Sequence, residues 1–253
     1  MTQPLNRTAR PQLSTGAALL LALLLLGVWE ALGADLWLIR PFGSPAGFAL
    51  REHPLFSQVL HDGGRLLAWA AIALLVWDAW TLRWSGPSRG LRWGAVGLVL
   101  LATVLIAAFK RVSETSCPWD TLEFGGAWPY VPHWWLQLRD GGPGHCFPSG
   151  HASAAFAFWL AWAVWRPFNP VLARRMLWLV IVLGSLFAGV QMVRGAHYLS
   201  HSLWTAWLCW AMAWAVERGL ACGPVHAQHA ARDQPKLGVS GLATGKPAAT
   251  QAS

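Results

Sequence analysis

Three clusters of residues have the types and spacing to do chemistry together. Lys110-Arg111 leads toward Cys117-Pro118, Pro148-Ser149-Gly150-His151 follows, and Arg194-Gly195-Ala196-His197-Tyr198-Leu199-Ser200-His201 closes the set. Each borders an apolar stretch, where ionisable side chains are costly and so point to function. Their chemistry suits a phosphate. Lys110 and Arg194 supply positive charge, and the Arg fork matches phosphate oxygens. Ser149 and Gly150 fall where a helix should begin, and the free N–H groups there favour an anion. Gly150 lets the backbone come close. His151 and His197 then remain as an acid/base and a nucleophile, since imidazole titrates near neutral pH.

The elements that must position these residues are membrane helices. Of the 253 residues, 55% are hydrophobic and 12% charged, about half the charge of a soluble domain. This excludes a disordered chain, a soluble enzyme of ordinary composition and a small disulfide-stapled domain. Six apolar stretches are near the length of a bilayer span: 15–36, 64–82, 91–109, 150–165, 176–193 and 200–216. They lack the alternation of barrel strands. The first runs on to Leu38, longer than a signal-peptide core, and is read as a span. The expected fold is therefore all-α, a polytopic bundle of six transmembrane helices with an outer-face loop region. Residues 1–14 are a cytoplasmic segment, 15–218 the membrane domain with outer loops at 37–63 and 110–149, and 219–253 a disordered cytoplasmic tail.

Orientation follows from Lys and Arg. With the N-terminus inside, twelve of the nineteen basic residues face the cytoplasm and seven face out, where seven acids balance them. The net +8 is thus an orientation signal and no indication of nucleic acid. This layout places all three clusters on the same outer face, which argues that they form one site.

Pro148-Ser149-Gly150-His151 resembles the central signature of the type 2 phosphatidic acid phosphatase superfamily. That pattern runs Lys-x6-Arg-Pro, then Pro-Ser-Gly-His, then Ser-Arg-x5-His-x3-Asp. The third motif can be aligned in two ways. Taking His201 as the nucleophile leaves six residues after Arg194 and puts Thr205 at the Asp position. Matching Gly195-Ala196-His197-Tyr198-Leu199-Ser200 to the family's Gly-x-His-Tyr-x-Ser stretch needs no gap, and is adopted. The sequence then departs from the pattern at three positions: Cys117 and Gln191 stand where the family has Arg, and His201 where it has Asp. Arg194, one turn from Gln191, restores one cation, and Arg111 is a candidate for the other.

The resemblance implies a bacterial inner-membrane phosphatase facing the periplasm, acting on a phosphorylated lipid in the bilayer with no cofactor and no metal. His197 forms a phosphohistidine, and His201 orients it. Lys110, Ser149, Gly150 and Arg194 hold the phosphate oxygens. His151 protonates the leaving oxygen and then activates water. Lipid A phosphate, undecaprenyl diphosphate, phosphatidylglycerol phosphate and phosphatidate all fit. A lipid phosphotransferase would use the same site. The three replacements also leave room for a non-catalytic transporter or scaffold that kept the fold. His197 and His201 have metal-ligand spacing as well, but Lys110 and Arg194 would repel a cation. Cys117 and Cys146 each lie beside a motif in the outer loop, so an oxidising compartment could join them; two free apolar cysteines are the alternative.

Overall fold

The computed structural model describes residues 14–134 and 139–222. The expected segment 1–14 lies outside these except for Ser14, as do the tail from residue 223 and residues 135–138 of the long outer loop. The chain divides after Arg218, and everything that follows concerns the unit before that point.

Helices fall on all six apolar stretches, with three differences from simple straight spans. Helix α1, Thr15–Ala31, starts where the Ser14 hydroxyl accepts the Ala17 N–H at 3.2 Å. It was expected to run on to residue 36. Instead Gly33 adopts a left-handed conformation (φ 63°), and the chain turns into α2, Ala34–Ile39. The two segments are bent by 74°. A left-handed residue ends a helix, and Gly takes that conformation without strain.

The second difference lies before α3, Gly63–Thr81. Residues Leu55–Asp62, expected as outer loop, form a continuous π-helix that leads into α3. Wide π turns are rare and frequent at functional sites. The expected outer loop from 37 to 63 is thus confined to a short 3₁₀ turn, a two-stranded hairpin (β1 Gly43–Ser44, β2 Gly47–Phe48) and the link to Leu55.

Helix α4, Arg89–Val112, carries Lys110 in its last turn. The third difference is in the fourth stretch, which is not one helix. It splits into α5, Gly150–Phe156, and α6, Trp159–Trp165. At the break the Phe158 and Leu160 N–H groups bond to the carbonyls three residues back, at 3.1 and 3.2 Å, tightening the chain out of α-helical register. Helix α7, Pro170–Val193, opens with Asn169 as cap and Pro170 at its first position. Helix α8 is Leu199–Cys222.

By length and composition, three helices among the described residues can cross a membrane: Leu55–Thr81, Arg89–Val112 and Pro170–Val193. The bent pair Thr15–Ala31 with Ala34–Phe42 makes a fourth if it is one span. The protein is therefore a helical membrane protein with three or four clear candidate spans, fewer than the six expected.

Small residues bring the helices together, as membrane packing favours. Ala95, Val99 and Ala102 of α4 meet Ala152, Leu160, Ala161 and Val164 of α5 and α6, Val180 of α7, and Cys209 and Ala213 of α8. At the start of α4, far from Lys110, Arg92 binds Asp78 through Nη1 at 2.6 Å and donates to the Trp84 and Pro87 carbonyls. Both charges are buried. The one acid inside the second apolar stretch, Asp78, is thus paired within the fold.

The long loop after α4 is pinned rather than loose. Asp140 accepts the Ser116 N–H and Oγ–H at 2.7 and 3.0 Å. Trp119 N–H donates to the Gly195 carbonyl at 3.0 Å, and Cys146 N–H to the Thr115 carbonyl at 3.0 Å. A second apolar cluster, Ile39, Phe48, Phe124 and Tyr198, ties this loop to α2, the hairpin and the segment leading into α8.

Candidate active site

One cavity of about 580 Å³ gathers most of the residues singled out by sequence. Lys110, Gly150, His151, Arg194 and His197 all line it, with Cys117 and Gln191 beside them. They come from the end of α4, the start of α5 and the turn between α7 and α8. Its other wall is apolar: Ala68, Trp69 and Ile72 of α3, Leu100 of α4, and Phe158. No Asp or Glu is among the lining residues described.

His197 is 4% exposed and sits in the turn between α7 and α8. Its backbone N–H bonds back to the Gln191 carbonyl at 3.3 Å, which closes the end of α7. Burial, followed by the charge of Lys110, holds its imidazole well below the ordinary value of 6.5. The ring is therefore neutral at physiological pH.

Cys117 and Cys146 form a disulfide, with Cα atoms 5.1 Å apart. Cys146 Sγ lies 3.4 Å from His197 Nδ1. A disulfide sulfur has no proton to give, so a hydrogen bond here requires the tautomer in which Nδ1–H donates to sulfur, a weak acceptor. That tautomer leaves the lone pair on Nε2. The disulfide thus joins the first and second motif regions directly beneath the third. Cys146, His197 and His201 place ligand atoms within 4.8 Å of one another. With its sulfur in the disulfide, Cys146 offers no thiolate, so the trio lacks the donor that would make it a metal site.

Two expected residues do not face the cavity as anticipated. Ser149 is fully buried; its hydroxyl caps α5 by accepting the Ala152 N–H at 3.4 Å. Its N–H donates to the His201 carbonyl at 3.0 Å, and its own carbonyl accepts the Thr205 hydroxyl at 2.9 Å. Ser149 thus fastens α5 to α8. His201 is also buried, with its ring edge-on to His197 at 5.8 Å between centroids and no hydrogen bond between them. Its Nδ1 has no hydrogen-bond partner. The expected orienting bond from His201 to His197 is absent because the His201 ring packs among His133, Phe147 and Tyr198. Arg111 is exposed and lies off the cavity wall.

Two cavity residues escaped sequence reasoning. The ring of His61 stacks on His151, with centroids 4.2 Å apart and planes 8° from parallel. His61 Nδ1 is 3.0 Å from Asp62. Arg65, one turn later, also lines the cavity. Both come from the helix that the sequence reading placed partly in a loop. Gly64 allows their approach: a Cβ there would lie 2.9 Å from the Phe187 ring and 3.4 Å from His151 Nε2. The signal in the sequence was His61-Asp62-Gly63-Gly64-Arg65, a polar run with two small residues at the outer end of an apolar helix.

None of Lys110, Arg65 and Arg194 forms an ion pair among the described residues; Arg194 donates through Nε to the Arg51 carbonyl at 3.0 Å. The site thus presents three cations without a direct ion pair, with Glu52 and Asp62 acting on Arg194 from nearby, a buried neutral imidazole and a second imidazole, around a cavity whose described lining holds no acid. Such a wall can bind an anion of high charge and offers a nucleophile to it.

Comparison with known proteins gives one family. The profile of the PAP2 superfamily matches residues 92–220, about half of the chain, including every motif above. No curated protein and no solved structure matches the chain.

Proposed function

Because the chain belongs to the PAP2 superfamily, whose phosphatases are metal-independent hydrolases, we propose that it removes phosphate from a membrane lipid through a phosphohistidine on His197. The observation that carries this is the acid-free cavity where Lys110, Arg194, His151 and His197 converge. In this reading His197 Nε2 attacks phosphorus in line. The P–N bond forms as the P–O bond to the lipid breaks. Lys110 and Arg194 offset the charge that spreads over the other oxygens in the transition state. His151 gives its proton to the leaving oxygen, then takes one from the water that releases phosphate. Ser149 acts by fixing the start of α5, so that Gly150 and His151 reach the cavity.

The apolar wall supports a lipid substrate. Trp69 and Ile72 of α3 and Leu100 of α4 line the same cavity as the cations, and Trp69 and Leu100 are also exposed on the bundle's surface. A phosphate held at Lys110 leaves its chain along these residues. In the full reading, six helical segments cross a bacterial inner membrane, both ends of the chain are cytoplasmic and the cavity faces the periplasm, as the Lys/Arg distribution favours.

The test is phosphate release from a panel of lipid phosphates by the purified protein. His197→Ala should lower kcat by about a thousandfold or more, the scale seen when a covalent nucleophile is removed. Activity surviving that change would overturn the assignment of His197. Absence of release from every lipid would favour the non-catalytic reading, which Cys117, Gln191 and His201 at family Arg and Asp positions keep open.

A further inference from the structure

We propose that reduction of the Cys117–Cys146 disulfide opens a zinc site made of Cys146, His197 and His201, with Cys117 as fourth ligand, and that zinc bound there silences the nucleophile. The metal site stands on geometry; its effect on activity rests on the phosphohistidine reading.

The first ground is spacing. Cys146, His197 and His201 come from the loop before α5, the turn after α7 and the start of α8, and all three are buried. One ligand atom from each lies within 4.8 Å of the other two. Zinc sits about 2.3 Å from sulfur and about 2.0–2.1 Å from an imidazole nitrogen, so at a tetrahedral angle those two ligands are about 3.5 Å apart. Cys146 Sγ and His197 Nδ1 are 3.4 Å apart. One edge of a zinc tetrahedron is therefore already in place. His201 extends it. Its Nδ1 is buried with no hydrogen-bond partner. A buried nitrogen left unsatisfied is costly, and a metal bond there would satisfy it. Cys117 is bonded to Cys146, so the step that frees one sulfur delivers the other to the same place. Two cysteines and two histidines are a ligand set of closed tetrahedral zinc sites.

The second ground is charge. Lys110 and Arg194 line the neighbouring cavity, and the charge of Lys110 reaches His197. They repel a bare divalent cation. Two thiolates cancel the charge of Zn²⁺, so the finished site is neutral and these cations cease to oppose it. With the disulfide intact neither sulfur is a thiolate, and the repulsion stands. The disulfide thus decides whether metal binds.

A dithiol reductant gives two electrons and two protons. The S–S bond breaks, both sulfurs become thiols, and the reductant becomes its own disulfide. Zn²⁺ then displaces the two thiol protons, which pass to solvent. A neutral imidazole has one N–H and one lone pair. In the tautomer that donates to the disulfide, the lone pair is on Nε2 of His197. Zinc takes the lone pair at Nδ1 instead, so the proton must sit on Nε2. The nucleophilic atom is lost although nothing enters the cavity.

The experiment uses the full chain in detergent, oxidised and after treatment with a water-soluble phosphine. The phosphine reduces the disulfide and takes oxygen from water, whose protons go to the sulfurs. Cobalt(II) is the probe, because a thiolate ligand gives it a charge-transfer band and tetrahedral geometry intensifies its visible absorption. Reduced protein should bind one cobalt ion with both features, and zinc should displace it. Oxidised protein should show neither. Cys117→Ser leaves Cys146 a free thiol and should show the thiolate band with no reductant added. An outer-shell partner of a metal ligand is worth about 10–100-fold in affinity, so His201→Asn or Cys146→Ser, which removes a ligand, should cost about a hundredfold or more. Zinc should lower phosphate release by the reduced protein about tenfold or more, reversibly with EDTA, and leave the oxidised protein unchanged. No thiolate band in reduced protein whose thiol count has risen by two overturns the proposal. So does equal binding by the oxidised form or by His201→Asn. If His201→Asn does not fold, the two redox states of the wild type decide the same point. Metal binding with phosphate release unchanged overturns the silencing of His197. A cobalt band in a protein that releases no phosphate in either state would refute the phosphatase reading and leave the metal site standing.

Discussion

Breaking the disulfide should disable the outer face without unfolding the bundle. The bond closes a loop with a sequence separation of 29 residues. For a loop of about 30 residues the chain-entropy model gives about 12 cal/mol/K, or ~3.6 kcal/mol at 25 °C. That stabilisation adds to the other ties on this loop, among them the Asp140 bonds to Ser116, the Trp119 bond to Gly195, the Cys146 bond to Thr115 and the packing of Phe124. Bonds to the Asp140 carboxylate contribute about 1.5–3 kcal/mol each and the neutral ones about 1 kcal/mol, so the disulfide is one of several comparable ties, and the one that also touches His197. Removing it should therefore loosen this segment first, and with it the sulfur contact that orients His197. The measurement is phosphate release and thermal unfolding in detergent, for the Cys117→Ser/Cys146→Ser pair and for wild type treated with a dithiol. Thiol labelling would confirm reduction. Activity should fall at least about tenfold, while far-ultraviolet helicity changes little. Full activity and an unchanged Tm with both thiols labelled would refute the reasoning.

The acid limb of kcat/KM should lie below pH 6.5, because burial and Lys110 hold His197 well below that value and the neutral ring is the proposed nucleophile. A pH–rate profile of the free enzyme checks it. The same shift lowers stability on acidification: the unfolded chain binds the proton more readily, so the contribution is whole above about 6.5 and is lost as pH falls. Gly64→Ala should cost activity more than stability. The added Cβ meets Phe187 at 2.9 Å, an overpacking penalty of about 1–3 kcal/mol, partly offset by ~1 kcal/mol of helix propensity. The helix carrying His61 and Arg65 should shift away, which kinetics and Tm together would show. Arg92→Ala should destabilise by about 3–5 kcal/mol, since it strands Asp78 as a buried charge; the double change with Asp78→Asn should recover much of that. His201→Asn should lower kcat far less than His197→Ala, because no bond joins the two rings.

What could be read in the sequence was whatever depends on local order. Lys110, Gly150, His151, Arg194 and His197 reach one cavity because each stands at the end of an apolar stretch, and alternating stretches bring such ends to the same side. The Cys117 and Cys146 neighbourhoods are likewise fixed by the motifs beside them. What could not be read depends on contacts between distant segments. No spacing tells that His61 stacks on a residue ninety positions later. Nor does the i, i+4 relation of His197 and His201 show which way the His201 ring turns; Phe147 and His133 decide that. Ser149 illustrates a third limit. A hydroxyl at a helix start can bind an anion or cap the helix, and here the cap uses it. The broken fourth stretch and the π turns before α3 were hidden because apolar content sets a segment's burial and leaves its hydrogen-bond register open.

Arg92 and Lys110 stand eighteen residues apart on one uninterrupted helix. At 1.5 Å per residue they are about 27 Å apart along its axis, close to the ~30 Å of a bilayer's hydrocarbon. The inner one is anchored by Asp78 and two carbonyls and cannot slide. Helix α4 therefore works as a ruler. It fixes the depth at which Lys110 meets its ligand, in the plane where lipid headgroups already lie. In the proposed reading a lipid would present its phosphate to the cavity while its chains stay among their neighbours. In a thicker bilayer the same ruler would draw Lys110 below that plane, so the proposed reaction would be tied to membrane thickness through a helix whose far end lies off the cavity.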